Sequence, residues 1–172
     1  MSKHHRNRNW APAPQPLPED AHVIDNHTHV ASVVPFSQAM SHEAMEKGQG
    51  EVPVYSVDEL LEQAQKVGVE GVIDCGCELP NLMTAIDMAR EHPGTVHAAI
   101  AIHPNEAVLH GHRGAPGPDG LPIKYKPWHD IPFDEAMAEV HRLATTYPNQ
   151  VVAIGETGMD LFRTGEGAKE LQ

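Results

Sequence analysis

Four short apolar runs, at residues 23–29, 69–75, 96–102 and 151–155, alternate with stretches of helical period, and that alternation constrains the fold more than any other feature. The clearest helix follows Ser56, which forms a capping box with Glu59; Val57, Leu60, Leu61, Ala64 and Val67 then share one face, and Gly68 stops the run. Pro80 opens a second helix with Leu82, Met83, Ile86 and Ala89 on its apolar side, ending at His92-Pro93-Gly94. A third uses Phe133, Met137, Val140 and Ala144 and stops before Pro148. Strands joined by helices of this length form βαβ units, whose right-handed crossovers give a parallel sheet. The expectation is therefore an α/β chain of four parallel strands with three helices, and a fourth beginning at 168–172. Residues 31–55 contain Pro35, Gly48, Gly50 and Pro53 without a sustained period, and read as one long connection.

Composition narrows the setting. At 172 residues the chain is long enough to bury one core, read as a single domain over residues 21–172. Residues 1–20 read as a tail: Lys3, Arg6 and Arg8 make its start basic, and Pro12, Pro14, Pro16 and Pro18 forbid helix. No apolar run approaches the roughly 20 residues needed to span a bilayer, and the first ten residues lack the apolar segment of a secretion signal. Cys75 and Cys77 sit too close together for a disulfide framework, which suits a reducing, cytoplasmic setting. The formal charge of −12 argues against nucleic-acid binding through a basic surface. Bound divalent cations could still bring an acidic protein to a phosphodiester.

The chemistry-bearing residues fall at strand ends. In Val23-Ile24-Asp25-Asn26-His27-Thr28-His29, strand alternation puts Asp25, His27 and His29 on one face, so two imidazoles converge. Neutral imidazole is the commonest metal-ligating side chain, although two histidines among 13 are also what an ordinary surface carries. Cys75 and Cys77 end the second run and read as small apolar thiols, since no further cysteine completes a Cys₄ cage. His103 ends the third. Glu156 ends the fourth, where Val152, Ile154 and Glu156 share a face if alternation holds, and its carboxylate is the third ligand type that catalytic zinc sites use. Glu156 could equally pair with a nearby cation or cap a helix. In parallel α/β folds ligands bind at the carboxyl ends of strands, where all these residues lie.

Asp25-Asn26-His27-Thr28-His29, Ile102-His103-Pro104 and Gly155-Glu156-Thr157-Gly158-Met159-Asp160, in that order, resemble the TatD family of metal-dependent deoxyribonucleases and hydrolases. The stretch from Gly71 to Cys77, leading into a Pro-Asn-Leu helix start, extends the likeness, and the proline-rich tail and His103-Pro104-Asn105-Glu106-Ala107 look most like actinobacterial members. The resemblance implies an amidohydrolase-type TIM (β/α)₈ barrel, with divalent metal ions (zinc, magnesium or manganese, two per complete site) and DNA as substrate. It implies metal binding by His27, His29 and Glu156, the last also catalytic and bridging, and a place for His103 near the substrate phosphate. Asp160 matches the aspartate of the Gly-Glu-x-Gly-x-Asp signature, in a supporting or structural role.

A complete barrel takes about 250 residues, so the resemblance implies the N-terminal half. The expectation is then a chain that binds one divalent ion weakly, hydrolyses DNA slowly or not at all, and self-associates through its open sheet. Met159 stands where leucine is usual and Leu161 where an aromatic is common, both apolar exchanges. Two other readings remain: a different amidohydrolase-type enzyme acting on an ester or amide, and a non-catalytic fragment.

Overall fold

The computed structural model describes residues 16–49, 53–111, 125–160 and 168–172. The proline-rich and basic stretch 1–15, residues 112–124 of the Gly- and Pro-rich segment 111–132, and position 161 after the Glu156 loop lie outside the described residues. Four strands, β1 (Val23–Thr28), β2 (Val69–Gly76), β3 (Val96–Ile100) and β4 (Val151–Ile154), form one sheet in the order β1-β2-β3-β4. β2, β3 and β4 pair in parallel, with Val72 level with Val96, Gly76 with Ile100, and Ile100 with Ile154. Sequential order without reversal is the barrel pattern rather than the doubly wound one, in which strand order turns back on itself. The expected α/β class, with four parallel strands as a portion of a (β/α)₈ barrel, holds.

Among the described residues the helices number more than the three or four expected. They are α1 (Val30–Glu46), α2 (Val57–Lys66), α3 (Leu79–Glu91), α4 (Pro104–Ala107) and α5 (Phe133–Thr146), with 3-10 turns at Pro127–Asp130 and Lys169–Leu171. The helix expected to begin at 168–172 is the second of these turns. α2 keeps the capping box: the Glu59 N–H donates to Ser56 Oγ, and the Ser56 N–H donates to the Glu59 carboxylate at 2.8 Å.

α1 corrects the reading of 31–55 as a structureless connection. Its inward stripe runs Val30, Val33, Val34, Ser37, Met40, Ser41, Ala44, at helical spacing, but two of those positions are serines. Phe36 and Met45 lie outside the stripe, exposed. Apolar periodicity is thereby blurred although the burial is periodic. The buried Ser37 hydroxyl is satisfied by donating to the Val34 carbonyl.

The chain divides into two compact units, one of residues 1–23 and 32–70, the other of residues 24–31 and 71–172. In the first, the Leu17 N–H donates to the Val67 carbonyl, and Gly68 takes φ +95°, the left-handed conformation that ends α2. The second holds the main core. α3 packs on β3 and α5, with Leu82, Ile86, Val96, Ala98, Ile100 and Val140 almost wholly buried. Gly76 is the point of closest approach: a Cβ there would lie 2.6 Å from the Asn81 carbonyl oxygen and 3.0 Å from Leu82 Cα. Ile100, level with Gly76, shares this α3 side of the sheet.

β4 departs from simple alternation. Its register against β3 shifts between Ala98 and Ala99, so Ala98 is level with Val151 but Ala99 with Ala153. Ile154 is therefore level with Ile100, on the α3 side, and is 53% exposed. The expected row Val152–Ile154–Glu156 on one face is broken by that bulge, and Glu156 lies beyond the strand end.

Candidate metal centre

The site lies in the second unit, where β1, β2, β3 and β4 end. His29 follows β1 directly and precedes α1. Two contacts to β2 fix this turn. Thr28 Oγ1 donates to the Ile73 carbonyl at 2.9 Å, and His29 Nδ1 lies 3.2 Å from the Cys75 carbonyl. A carbonyl oxygen only accepts, so His29 carries its proton on Nδ1, which leaves the Nε2 lone pair for a ligand. His27 meets His29 edge to face, with ring centroids 5.4 Å apart. Asp25 does not join them; its carboxylate accepts the His27 backbone N–H.

Glu156 completes the cluster across the strand ends. Its Oε1 lies 2.6 Å from His27 Nε2 and 4.0 Å from His29 Nε2. One ligand atom from each of His27, His29 and Glu156 falls within 4.8 Å of the others. Three donors about 2.1 Å from one tetrahedral centre would be roughly 3.4 Å apart, a value these separations bracket. The donor set of two imidazoles and one carboxylate is also that of known catalytic zinc sites, so the residues fit a divalent ion with open positions.

His103 caps α4. Its Nδ1 accepts the Asn105 N–H at 3.1 Å, so its proton sits on Nε2, which points toward Glu156 Oε2 at 3.5 Å. That tautomer makes His103 a hydrogen-bond donor to an anion rather than a metal ligand. α4 is anchored on both sides. The Asn105 amide donates to Asp160 at 2.7 Å, and Glu106 accepts from the buried His129 ring at 2.8 Å. Asp160 thus joins the loop after Glu156 to the His103 helix. An open cleft of about 450 Å³, lined by His27, His103, Glu156, Thr157 and Met159, faces these groups. It is large enough for a nucleotide-sized fragment.

Two groups escaped the sequence reading. Cys77, read as an apolar thiol, donates to Glu156 Oε2 at 3.1 Å. Burial, followed by that hydrogen bond to the carboxylate, pushes its thiol up to about 12. Asp74 is almost wholly buried, and its Oδ1 has no hydrogen-bond partner among the described residues. Burial raises its carboxyl above the usual range, against a smaller opposing pull from the Val30 and Ala31 N–H groups at the start of α1. A lone acid within the apolar run Val72-Ile73-Asp74-Cys75 was the available signal for Asp74. For Cys77 the signal was its place at the end of the second strand, beside the other candidates; its hydrogen bond to Glu156 was not legible.

The family model for TatD related DNase matches residues 24–172. No curated protein matches the chain. The match spans the three strand ends that carry His27 and His29, His103, and Glu156, and on it this chain belongs to the TatD related DNase family, a family of metal-dependent hydrolases.

Proposed function

We propose that the protein hydrolyses phosphodiester bonds in DNA with the help of a divalent metal ion, zinc, magnesium or manganese, held by His27, His29 and Glu156. The observation that carries this reading is the convergence of those three donors, within 4.8 Å, beside a histidine whose proton is fixed on the cleft side. A divalent ion bound there would supply a nucleophile at neutral pH, by bringing the pKa of a water toward about 7, and would polarise a phosphoryl oxygen.

The chain's own residues do the rest. His29, with its Nδ1–H on the Cys75 carbonyl, presents Nε2 in a set orientation. His103 donates its Nε2–H to a non-bridging phosphate oxygen, offsetting charge that builds as the bond to the leaving oxygen breaks. Glu156 places carboxylate charge beside both imidazoles. Net charge does not oppose this reading, because the attraction for phosphate is local to the ion.

The test is relaxation of supercoiled plasmid in Mn²⁺ by the wild type, His27→Ala and Glu156→Gln. Nicking by the wild type that both variants lose supports the reading, and nicking that survives in His27→Ala contradicts it. Turnover of a simple aryl ester without nicking would favour ester hydrolysis instead.

Two further parts of the reading concern setting. No helix among the described residues is long and apolar enough to cross a membrane, and Cys75 and Cys77 are both free, which supports a cytoplasmic enzyme. Exposed Val152 and Ile154 on β4 support pairing with a second copy, which light scattering showing only monomer would contradict.

A further inference from the structure

We propose that Cys77 is a positioning residue: its thiol holds Oε2 of Glu156, so that Oε1 is the oxygen presented to His27 and His29. The inference rests on the metal-site reading above and adds how the carboxylate is aimed. Glu156 sits past the last residue of β4, on a side chain with three rotatable bonds. Nothing about a carboxylate decides by itself which oxygen faces a ligand cluster.

The structure supplies that decision from β2. Cys77 Sγ–H donates to Oε2 at 3.1 Å, and His103 Nε2–H approaches the same oxygen at 3.5 Å. Oε1 is left to the imidazoles, 2.6 Å from His27 and 4.0 Å from His29. Cys77 can act this way because its own place is fixed twice. Gly76, the residue before it, lies close against the start of α3, where a Cβ would lie 2.6 Å from the Asn81 carbonyl oxygen. The Cys77 carbonyl accepts the His103 N–H at 3.0 Å, so one residue ties together the strand-three histidine and the strand-four acid. A thiol is a weak donor, but a carboxylate acceptor strengthens the bond. Partners that orient a metal ligand are typically worth about 10–100-fold in metal affinity.

The probe is Mn²⁺ alone, a hard ion with little preference for thiolate, titrated into the full chain and read as free ion by electron paramagnetic resonance. Cys77→Ala is expected to bind at least about tenfold more weakly than the wild type. Cys77→Ser keeps a donor at the position and is expected to bind within about threefold of the wild type. Wild-type affinity in Cys77→Ala, or equal loss in Cys77→Ser, would overturn the proposal.

A second readout needs no metal and stays informative if the alanine variant fails to fold or if the wild type takes up no Mn²⁺, the result that would count against the metal reading itself. It is the infrared S–H stretch of Cys77, isolated by subtracting the matching Cys77→Ser spectrum to remove Cys75. It should lie at the lowered frequency of a hydrogen-bonded thiol and rise to the free position in Glu156→Ala. A band unmoved by Glu156→Ala would overturn the proposal whatever the titration gives.

Discussion

Replacing Gly76 with alanine tests whether the close seating of α3 on the sheet sets both stability and the metal site. Gly76 has no positive φ, so the residue is required for space and not for backbone conformation. The new Cβ would meet the Asn81 oxygen at 2.6 Å, Leu82 Cα at 3.0 Å and the Asn81 carbonyl carbon at 3.1 Å, all backbone atoms that no side-chain rotation can clear. An ordinary carbon–oxygen contact is about 3.3–3.6 Å, so the start of α3 must retreat by about 0.7 Å or more. Overpacking of this kind costs about 1–3 kcal/mol. Loss of glycine's freedom in the unfolded chain returns about 0.4–1 kcal/mol, leaving a net loss of about 1.3 kcal/mol from the middle of the two ranges and about 2.6 kcal/mol at most. For a chain of this size the middle value is a Tm lower by about 3–5 °C. The displaced turn carries Cys77, so Mn²⁺ affinity should fall with it. Thermal unfolding by circular dichroism and the Mn²⁺ titration measure the two effects. A Gly76→Ala protein with wild-type Tm would refute the packing argument, and one with lower Tm but unchanged affinity would refute the link from α3 to the site.

Two other perturbations follow from single groups. Because burial raises Asp74, the folded chain holds that proton more tightly than the unfolded one, and its contribution to stability declines as pH rises from the ordinary carboxylate range, about 3.9, through its raised folded value. Asp74→Asn removes that slope, so it should raise Tm at pH 7.5 and gain less at pH 4; a lower Tm than wild type at pH 7.5 would contradict this. Ser56→Ala removes the acceptor for the Glu59 N–H and should cost about 0.5–2 kcal/mol in urea unfolding, a loss that Ser56→Asp restores.

The parts of the fold that were legible in the sequence are those where local chemistry and tertiary burial agree. α2 carries its cap in plain view, and α3 buries Leu82, Ile86 and Ala89 as its spacing indicates, whereas α5 buries Val140 together with Ala136 and Leu143 and leaves Phe133, expected on the apolar face, exposed. α1 was not legible, because its inward stripe uses Ser37 and Ser41 while Phe36 and Met45 face outward. Strand ends gave His27, His29, His103 and Glu156, since parallel sheets gather strand termini on one side. Sequence could not show which tautomer each ring holds. The Cys75 carbonyl decides it for His29 and the Asn105 N–H for His103, and both depend on pairings made only in the folded sheet. The bulge in β4 was likewise invisible: a one-residue shift in pairing leaves no mark on composition but reassigns which face Ile154 occupies.

The most direct measurement is a calorimetric titration of Zn²⁺ into the wild type, His27→Ala, His29→Ala and Glu156→Gln. One site in the wild type, weakened at least about tenfold by each substitution and with all four proteins keeping the same Tm without metal, is the result expected if these three side chains hold one ion. Zinc uptake that all three variants retain, and that disappears only when Cys75 and Cys77 are removed, would place the ion elsewhere and contradict the assignment.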